Sequence, residues 1–229
     1  MRVLIVDTAL GACSAGVFEG DRALAVRSEL MTKGHQERLA GLVRDATAEA
    51  GGGFAALDRV GVTVGPGSFT GLRVGMAFAQ GLGAALDRPV VGVSTLDALA
   101  ASIEPSGLVA AVIDARRGQV YARLFRDGVA QGEAGALSLE TAADRILEAA
   151  AGSRPTLIGT GAGVLSEAFP DRLADVDLKP LAAPTSDALA RLAITADPAI
   201  ALPRPLYLRA PDATPPSRLP GQSRSSATS

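Results

Sequence analysis

One pattern occurs twice in this chain, and it limits the available folds more than any other feature. Arg2-Val-Leu-Ile-Val-Asp7 is a short apolar run that ends in an acid, and Leu108-Val-Ala-Ala-Val-Ile-Asp114 is another. A few residues beyond each Asp a second strand-like run begins, Cys13–Phe18 in the first case and Gln119–Phe125 in the second. Each closes on a turn with hairpin chemistry, Glu19-Gly20-Asp21 or Arg126-Asp127-Gly128. A buried strand with an antiparallel neighbour, met twice, predicts an internal duplication. Its boundary falls at Glu104-Pro105-Ser106-Gly107.

In the first copy, Ala23–Leu30 predicts a third antiparallel strand. The period then changes: Leu39, Leu42, Val43 and Ala46 mark one face of a helix over Gln36–Ala50, which Gly51-Gly52-Gly53 stops. Val60–Val64 predicts a strand, Gly65–Ser68 a tight loop, Thr70–Leu86 a helix and Val90–Val93 a strand. Ser94 or Thr95 caps a third helix to about Ser102. The order β-β-β-α-β-α-β-α implies a mixed sheet with helices packed on it.

The second copy predicts a helix over Thr141–Ala151, a strand at Thr156–Gly159, a short helical segment at Gly161–Phe169 and a helix over Asp187–Ala196. Its elements are expected to be fewer and less regular. The expected organisation is a first domain at 1–104 and a smaller second domain at 105–210, whose last segment packs back on the first. A disordered tail is expected at 211–229, where almost nothing is available to bury.

Composition removes several functions. Lys plus Arg total 22 against 24 Asp plus Glu, a formal charge of -2, which excludes a strongly basic nucleic-acid-binding chain but not a local basic patch. The 44 Ala and 26 Gly suit close backbone approach, and two Tyr, six Phe and no Trp leave few rings for base stacking. One cysteine permits no internal disulfide, and one histidine permits no two-histidine metal site. No apolar run reaches membrane-spanning length and no signal-peptide layout is present, so a cytoplasmic location without membrane attachment is expected.

The sharpest local signal is Gly65-Pro-Gly-Ser-Phe-Thr-Gly-Leu-Arg-Val-Gly75, between a strand and a helix. Such a turn either exposes backbone N–H groups to an anion or lets the helix start press on the sheet. It is not a Walker A loop, since no Gly-Lys-Ser/Thr follows. Gly71 and Gly75, four apart, admit close contact with the chain's own sheet or with another helix. Asp7 and Asp114 end equivalent strands, where acids hold a metal–phosphate complex in a phosphotransferase or accept hydrogen bonds from the following loop. Gly159-Thr-Gly-Ala-Gly163 is a second glycine-rich strand–helix connection. Asp7, Gly67, Ser68, Asp114 and Gly161 are therefore the weak candidates for nucleotide binding. His35 has no nearby nucleophile or orienting acid and reads as a cap, surface or interface residue. Cys13, inside a strand, reads as inert packing. Ser68 lacks the Gly-x-Ser-x-Gly setting. Arg116 and Arg117 read as surface or interface residues.

Together, Val6-Asp7-Thr8-Ala9, the Gly65–Gly75 segment, Gly92-Val-Ser-Thr-Leu96, Asp114-Ala-Arg-Arg-Gly-Gln-Val-Tyr121 and Pro205-Leu-Tyr-Leu-Arg209 closely resemble the TsaB/YeaZ family. The resemblance covers residues 1 to about 210. It implies an actin/Hsp70/sugar-kinase-like (ribonuclease H-like) duplicated α/β fold with two mixed-sheet domains. It further implies a non-catalytic subunit for threonylcarbamoyladenosine formation at adenosine 37 of tRNAs reading codons that begin with A. The implied partners are a TsaD-like catalytic subunit and a TsaE-like ATPase, with tRNA met through the assembled complex and a homodimer in isolation. No intrinsic cofactor is implied; ATP or ADP and a divalent metal belong to the partners. The catalytic relative holds metal through His-x-x-x-His, which a chain with only His35 cannot reproduce. Expected contacts lie on the first two helices: His35, Leu39, Leu42, Val43, Arg73, Val74, Ala77 and Phe78, some of which must face the sheet. The competing functions are an ATP-dependent phosphotransferase using Asp7 and Asp114, or a glycopeptidase-like hydrolase.

Overall fold

In the computed structural model, residues 1–104 and 106–209 are described; the expected tail at 211–229 lies outside them. Strand β1 (Arg2–Asp7) is central to the first sheet. It pairs antiparallel with β2 (Ala12–Glu19), which pairs antiparallel with β3 (Arg22–Leu30). On its other side β1 runs parallel to β4 (Arg59–Gly65), and β4 runs parallel to β5 (Val90–Ser94). The order is β3-β2-β1-β4-β5.

The second sheet repeats this winding. Strand β6 (Leu108–Arg116) pairs antiparallel with β7 (Gln119–Arg126), and β7 with β8 (Val129–Ser138). Parallel to β6 lies β9 (Thr156–Ile158), then β10 (Asp177–Lys179), giving β8-β7-β6-β9-β10. Each half has five strands and three α-helices, so the expectation of fewer elements in this half is corrected, while its elements are indeed less regular, β9 and β10 being three residues each. Two strands escaped the sequence pattern. In β8, Gln131, Gly132, Glu133 and Gly135 break the apolar alternation of an exposed edge, and β10 is only three residues long.

Both central strands read as unbroken apolar runs because both of their faces are covered. On one face of the first sheet, Leu4 and Val6 share a core with Leu39, Leu42 and Val43 of α1 (His35–Ala50) and Leu72 and Met76 of α2 (Phe69–Leu86). On the other face, Val3 and Ile5 pack with Leu189, Ala190 and Ala193 of the last described helix, Ser186–Thr195. A short helix, α3 (Thr95–Ala100), lies between the sheets, where Leu96 and Leu99 meet Val109, Ala111, Ile113 and Phe125. Helices α4 (Leu139–Ala150) and α5 (Gly161–Ala168) cover the outer face of the second sheet through Ala142, Ile146 and Leu165. The last described helix, α6, thus follows the second sheet in sequence but backs the first.

Hydroxyl caps start four of these helices: Ser68, Ser94, Ser138 and Thr185 each accept an N–H from the first turn of α2, α3, α4 and α6. After α6 the chain runs along the first half. Gly92 N–H donates to the Ala201 carbonyl and Leu206 N–H to the Val64 carbonyl, each at 2.8 Å, and Gln80 Nε2 donates to the Pro203 carbonyl at 2.9 Å. Arg209 then reaches the second sheet, donating to Gln119 Oε1 with its guanidinium 5.8 Å from the Tyr121 ring centroid.

Candidate functional site

The two strand-ending acids occupy equivalent positions and receive opposite surroundings. Asp7 is 0% exposed. Its Oδ1 accepts from Ala9 N–H at 2.9 Å and Thr63 Oγ1 at 2.7 Å, whereas Oδ2 has no partner. Burial pushes this carboxyl above its ordinary value, more than the two hydrogen bonds and the nearby His35 pull it down. Asp114 is exposed; its Oδ1 accepts from Arg116 N–H at 2.7 Å, and its own N–H donates to Thr160 Oγ1 at 3.1 Å. Each acid organises the loop that follows it. A sealed carboxylate such as Asp7 cannot hold a metal–phosphate complex.

The start of α2 presses on the loop that follows Asp7. Ser68 N–H donates to the Ala9 carbonyl at 2.7 Å, and Thr8 Oγ1 donates to the Gly71 carbonyl at 2.7 Å. A β-carbon on Gly67 would lie 2.4 Å from the Ala9 oxygen, and one on Gly71 would lie 2.1 Å from the Thr8 oxygen. The glycines of the Gly65–Gly75 segment let the helix press on the β1–β2 loop, and the Ser68 side chain is its cap. At the second connection, a β-carbon on Gly161 would meet Val112 at 2.7 Å, again close packing. Leu10, Leu181 and Leu208 pack into the cluster around Ile113, and Gly11 N–H donates to the Ala182 carbonyl at 3.1 Å. Side chains of the β1–β2 loop and of the returning segment thus pack against the second sheet at this end.

Cys13 is buried, and burial first, with the charges of Asp7 and Glu29 behind it, pushes its thiol up to about 11. It is neutral and unreactive at physiological pH. His35 opens α1, is 6% exposed, and its Nε2 has no partner. Among the described residues no group of three or more His, Cys, Asp or Glu converges to hold a metal, and no helix is long and apolar enough to cross a membrane.

The eight expected contact residues divide. Leu39, Leu42 and Val43 lie in the core between α1 and the sheet and so face no partner, and His35 is 6% exposed at the helix start. Helical periodicity identifies a shared face but not what that face meets; here the sheet takes it. The outer side of α1 carries charge, with Arg38 paired to Glu29 and Arg27 of β3 paired to Glu49. On α2, Arg73 and Ala77 are exposed, and Val74 and Phe78 are half-buried. Between the starts of α1 and α2 lies a cavity of about 290 Å³ lined by Lys33, His35, Glu37, Ser68, Thr70 and Val74 among others. Two exposed residues were missing from the expected set, Phe69 and Tyr207, whose rings stack beside Arg73. The available signal was the rarity of aromatic residues in this chain.

Two sheets wound in the same order, each flanked by helices, define a duplicated α/β fold of the actin, Hsp70 and sugar-kinase type. The sequence profile of the family described as "TsaD: tRNA N6-adenosine threonylcarbamoyltransferase" matches residues 26–204. The chain is 37% identical over 139 residues to the "tRNA threonylcarbamoyladenosine biosynthesis protein TsaB" of Escherichia coli, covering 58% of this chain and 60% of that protein. It is 40% identical over 220 residues to uncharacterized protein ML0378 of Mycobacterium leprae, covering 93% of this chain and 56% of that one. The structure of YeaZ from Pseudomonas aeruginosa superposes with a TM-score of 0.72 at 29% identity, covering 90% of this chain and 99% of that one. This chain belongs to the TsaB/YeaZ family. It spans 56% to 60% of the length of the two curated relatives.

Proposed function

We propose that this protein is an accessory subunit in threonylcarbamoyladenosine formation on tRNA. It binds a TsaD-like catalytic subunit, helps recruit a TsaE-like ATPase, and supplies no reacting group to the transfer onto N6 of adenosine 37. Family membership supports the process. The observation that carries the non-catalytic role is Asp7, fully buried and hydrogen-bonded to Ala9 N–H and Thr63 where a phosphotransferase would need an open acid. The single histidine likewise rules out a two-histidine metal centre within this chain.

The first half, 1–104, carries the partner surface in this reading, and 105–210 forms the second domain. The contact falls on the outward side of α2, through Val74, Ala77 and Phe78, with ATP, ADP and divalent metal held by the partners. An isolated subunit covers the same surface by pairing with a second copy. Binding favours the working geometry of the catalytic subunit only if affinity for that geometry exceeds affinity for the others.

Reconstitution tests this directly. With TsaD, TsaE, threonylcarbamoyl adenylate and tRNA, modification depends on adding this chain, and Asp7→Asn and Asp114→Asn support it as wild type does. Full modification in its absence overturns the reading. So does ATP-dependent phosphotransfer by the chain alone that is lost in Asp7→Asn.

A further inference from the structure

The flank of α2 turned away from α1 carries a different surface. Phe69 and Tyr207 are 56% and 48% exposed, and their rings stack with centroids 5.8 Å apart and planes inclined by 29°. The Arg73 guanidinium stands 3.8 Å from the Phe69 ring centroid, and Arg73 Nε donates to the Tyr207 hydroxyl at 3.3 Å. Beyond them along the same segment, Ile200, Leu202 and Arg204 are exposed, and Arg209 lies over Tyr121. Both tyrosines of the chain therefore stand beside an arginine.

Charge on these segments has one sign. Between Val60 and Leu86 the single charged residue is Arg73; between Pro198 and Arg209 the charged residues are Arg204 and Arg209. The N-terminal end of α2 adds partial positive charge. Glu37 lines the cavity on the other flank, which it shares with Lys33. A chain with net charge -2 thus holds a local surface built from arginines and stacked rings, with no acid on either contributing segment.

We propose that this surface receives a single-stranded segment of RNA, with a base stacked on the Phe69–Tyr207 pair and phosphates met by Arg73, Arg204 and Arg209. Planar faces and positive charge at one place suit a ligand that is planar and anionic together, the combination offered by an unpaired nucleotide. The proposal deepens the accessory role proposed above and rests on it, naming the surface by which the RNA substrate touches this subunit.

The test uses the full chain alone and a short fluorescein-labelled oligoadenylate, followed by fluorescence anisotropy at low salt. An RNA duplex of equal length is the second probe, and a polyglutamate peptide is the third. Saturable binding to the single strand is expected, about tenfold or more tighter than to the duplex. Tyr207→Ala and Arg73→Ala each weaken it about tenfold or more, the scale of one lost stacked base. Ultraviolet crosslinking of the wild-type chain marks Phe69 or Tyr207, a result that needs no variant to fold. Absence of saturation, equal affinity for duplex, variants that bind as wild type, or crosslinks confined to other residues would each overturn the proposal. Binding of polyglutamate in place of RNA overturns it in favour of an acidic protein segment. These readouts do not involve modification, so a chain dispensable for modification would refute the accessory role independently.

Discussion

The Thr8 carbonyl oxygen lies 2.1 Å from the position a β-carbon would take on Gly71, and the Thr8 hydroxyl donates to the Gly71 carbonyl at 2.7 Å. The β1–β2 loop and the start of α2 therefore meet backbone to backbone. Gly75 serves the same contact, since its β-carbon would lie 2.4 Å from Thr8 Oγ1. These two glycines pack within the chain and are not available to a partner helix.

Gly71→Ala is expected to cost about 1–3 kcal/mol through overpacking against immobile backbone. Urea denaturation checks this. Gly81 provides the contrast: it is exposed on the same helix, with open space around its missing β-carbon. Gly81→Ala should gain up to about 1 kcal/mol from helix propensity. Equal effects at the two positions would refute the packing account.

Asp7 predicts an unusual pH response. Its carboxyl is raised in the fold, so folded protein keeps a proton that unfolded protein has released once the pH passes the ordinary value of 3.8. Over that window stability falls as pH rises, and above the raised value the loss is complete. Asp7→Asn removes the ionisation while keeping an oxygen for Ala9 N–H and Thr63. The variant should melt higher than wild type at neutral pH, and the gap should narrow in acid. Melting curves across that range decide; a variant equally destabilised at every pH would show that the carboxylate is instead needed.

Ala77→Glu places a charge on the outward face of α2. As an exposed substitution it should leave stability within about 0.5 kcal/mol. In an interface the same charge is desolvated, and affinity for the catalytic subunit or a second copy should drop about a hundredfold or more. Light scattering after size exclusion and a titration with the catalytic subunit measure both. Unchanged assembly would move the partner surface elsewhere.

Arg123 of β7 donates to Asp97 of α3 at 2.8 Å and 3.0 Å, with both side chains mostly buried, and so ties the helix between the sheets to the second sheet. Arg123→Ala should cost on the order of 1 kcal/mol, less in high salt. Thermal melts in low and high salt read the difference, and a salt-independent loss would assign the effect to packing of the Arg123 stem on Phe125.

The strands and helices of the first half were legible because their periods are clean: alternation or apolar runs in β1 and β2, and an i, i+3, i+4, i+7 face in α1. The duplication could be read from two runs ending in Asp, yet its extent could not, because β8 is a glycine-broken edge and β10 is too short to show a period. Residue type at the strand ends was equally silent about environment. Asp7 and Asp114 look alike in sequence, but only Asp7 receives a Thr63 hydroxyl and is fully buried. Leu39, Leu42 and Val43 were identified as one face, but a periodic pattern carries no information on whether sheet or partner lies opposite. Phe69 and Tyr207 meet only because the chain returns from the second sheet to the first, a long-range event that no local pattern encodes.

That return has an architectural result. Helix α6 roofs a sheet whose strands were all made before the second sheet began, and Leu189 and Ala193 fill spaces beside Val3 and Ile5. A ribosome that has released only the opening half has therefore exposed a bare hydrophobic wall. Completion of the first unit must wait for α6, so the two repeats, though alike in winding, mature as one body and not in turn.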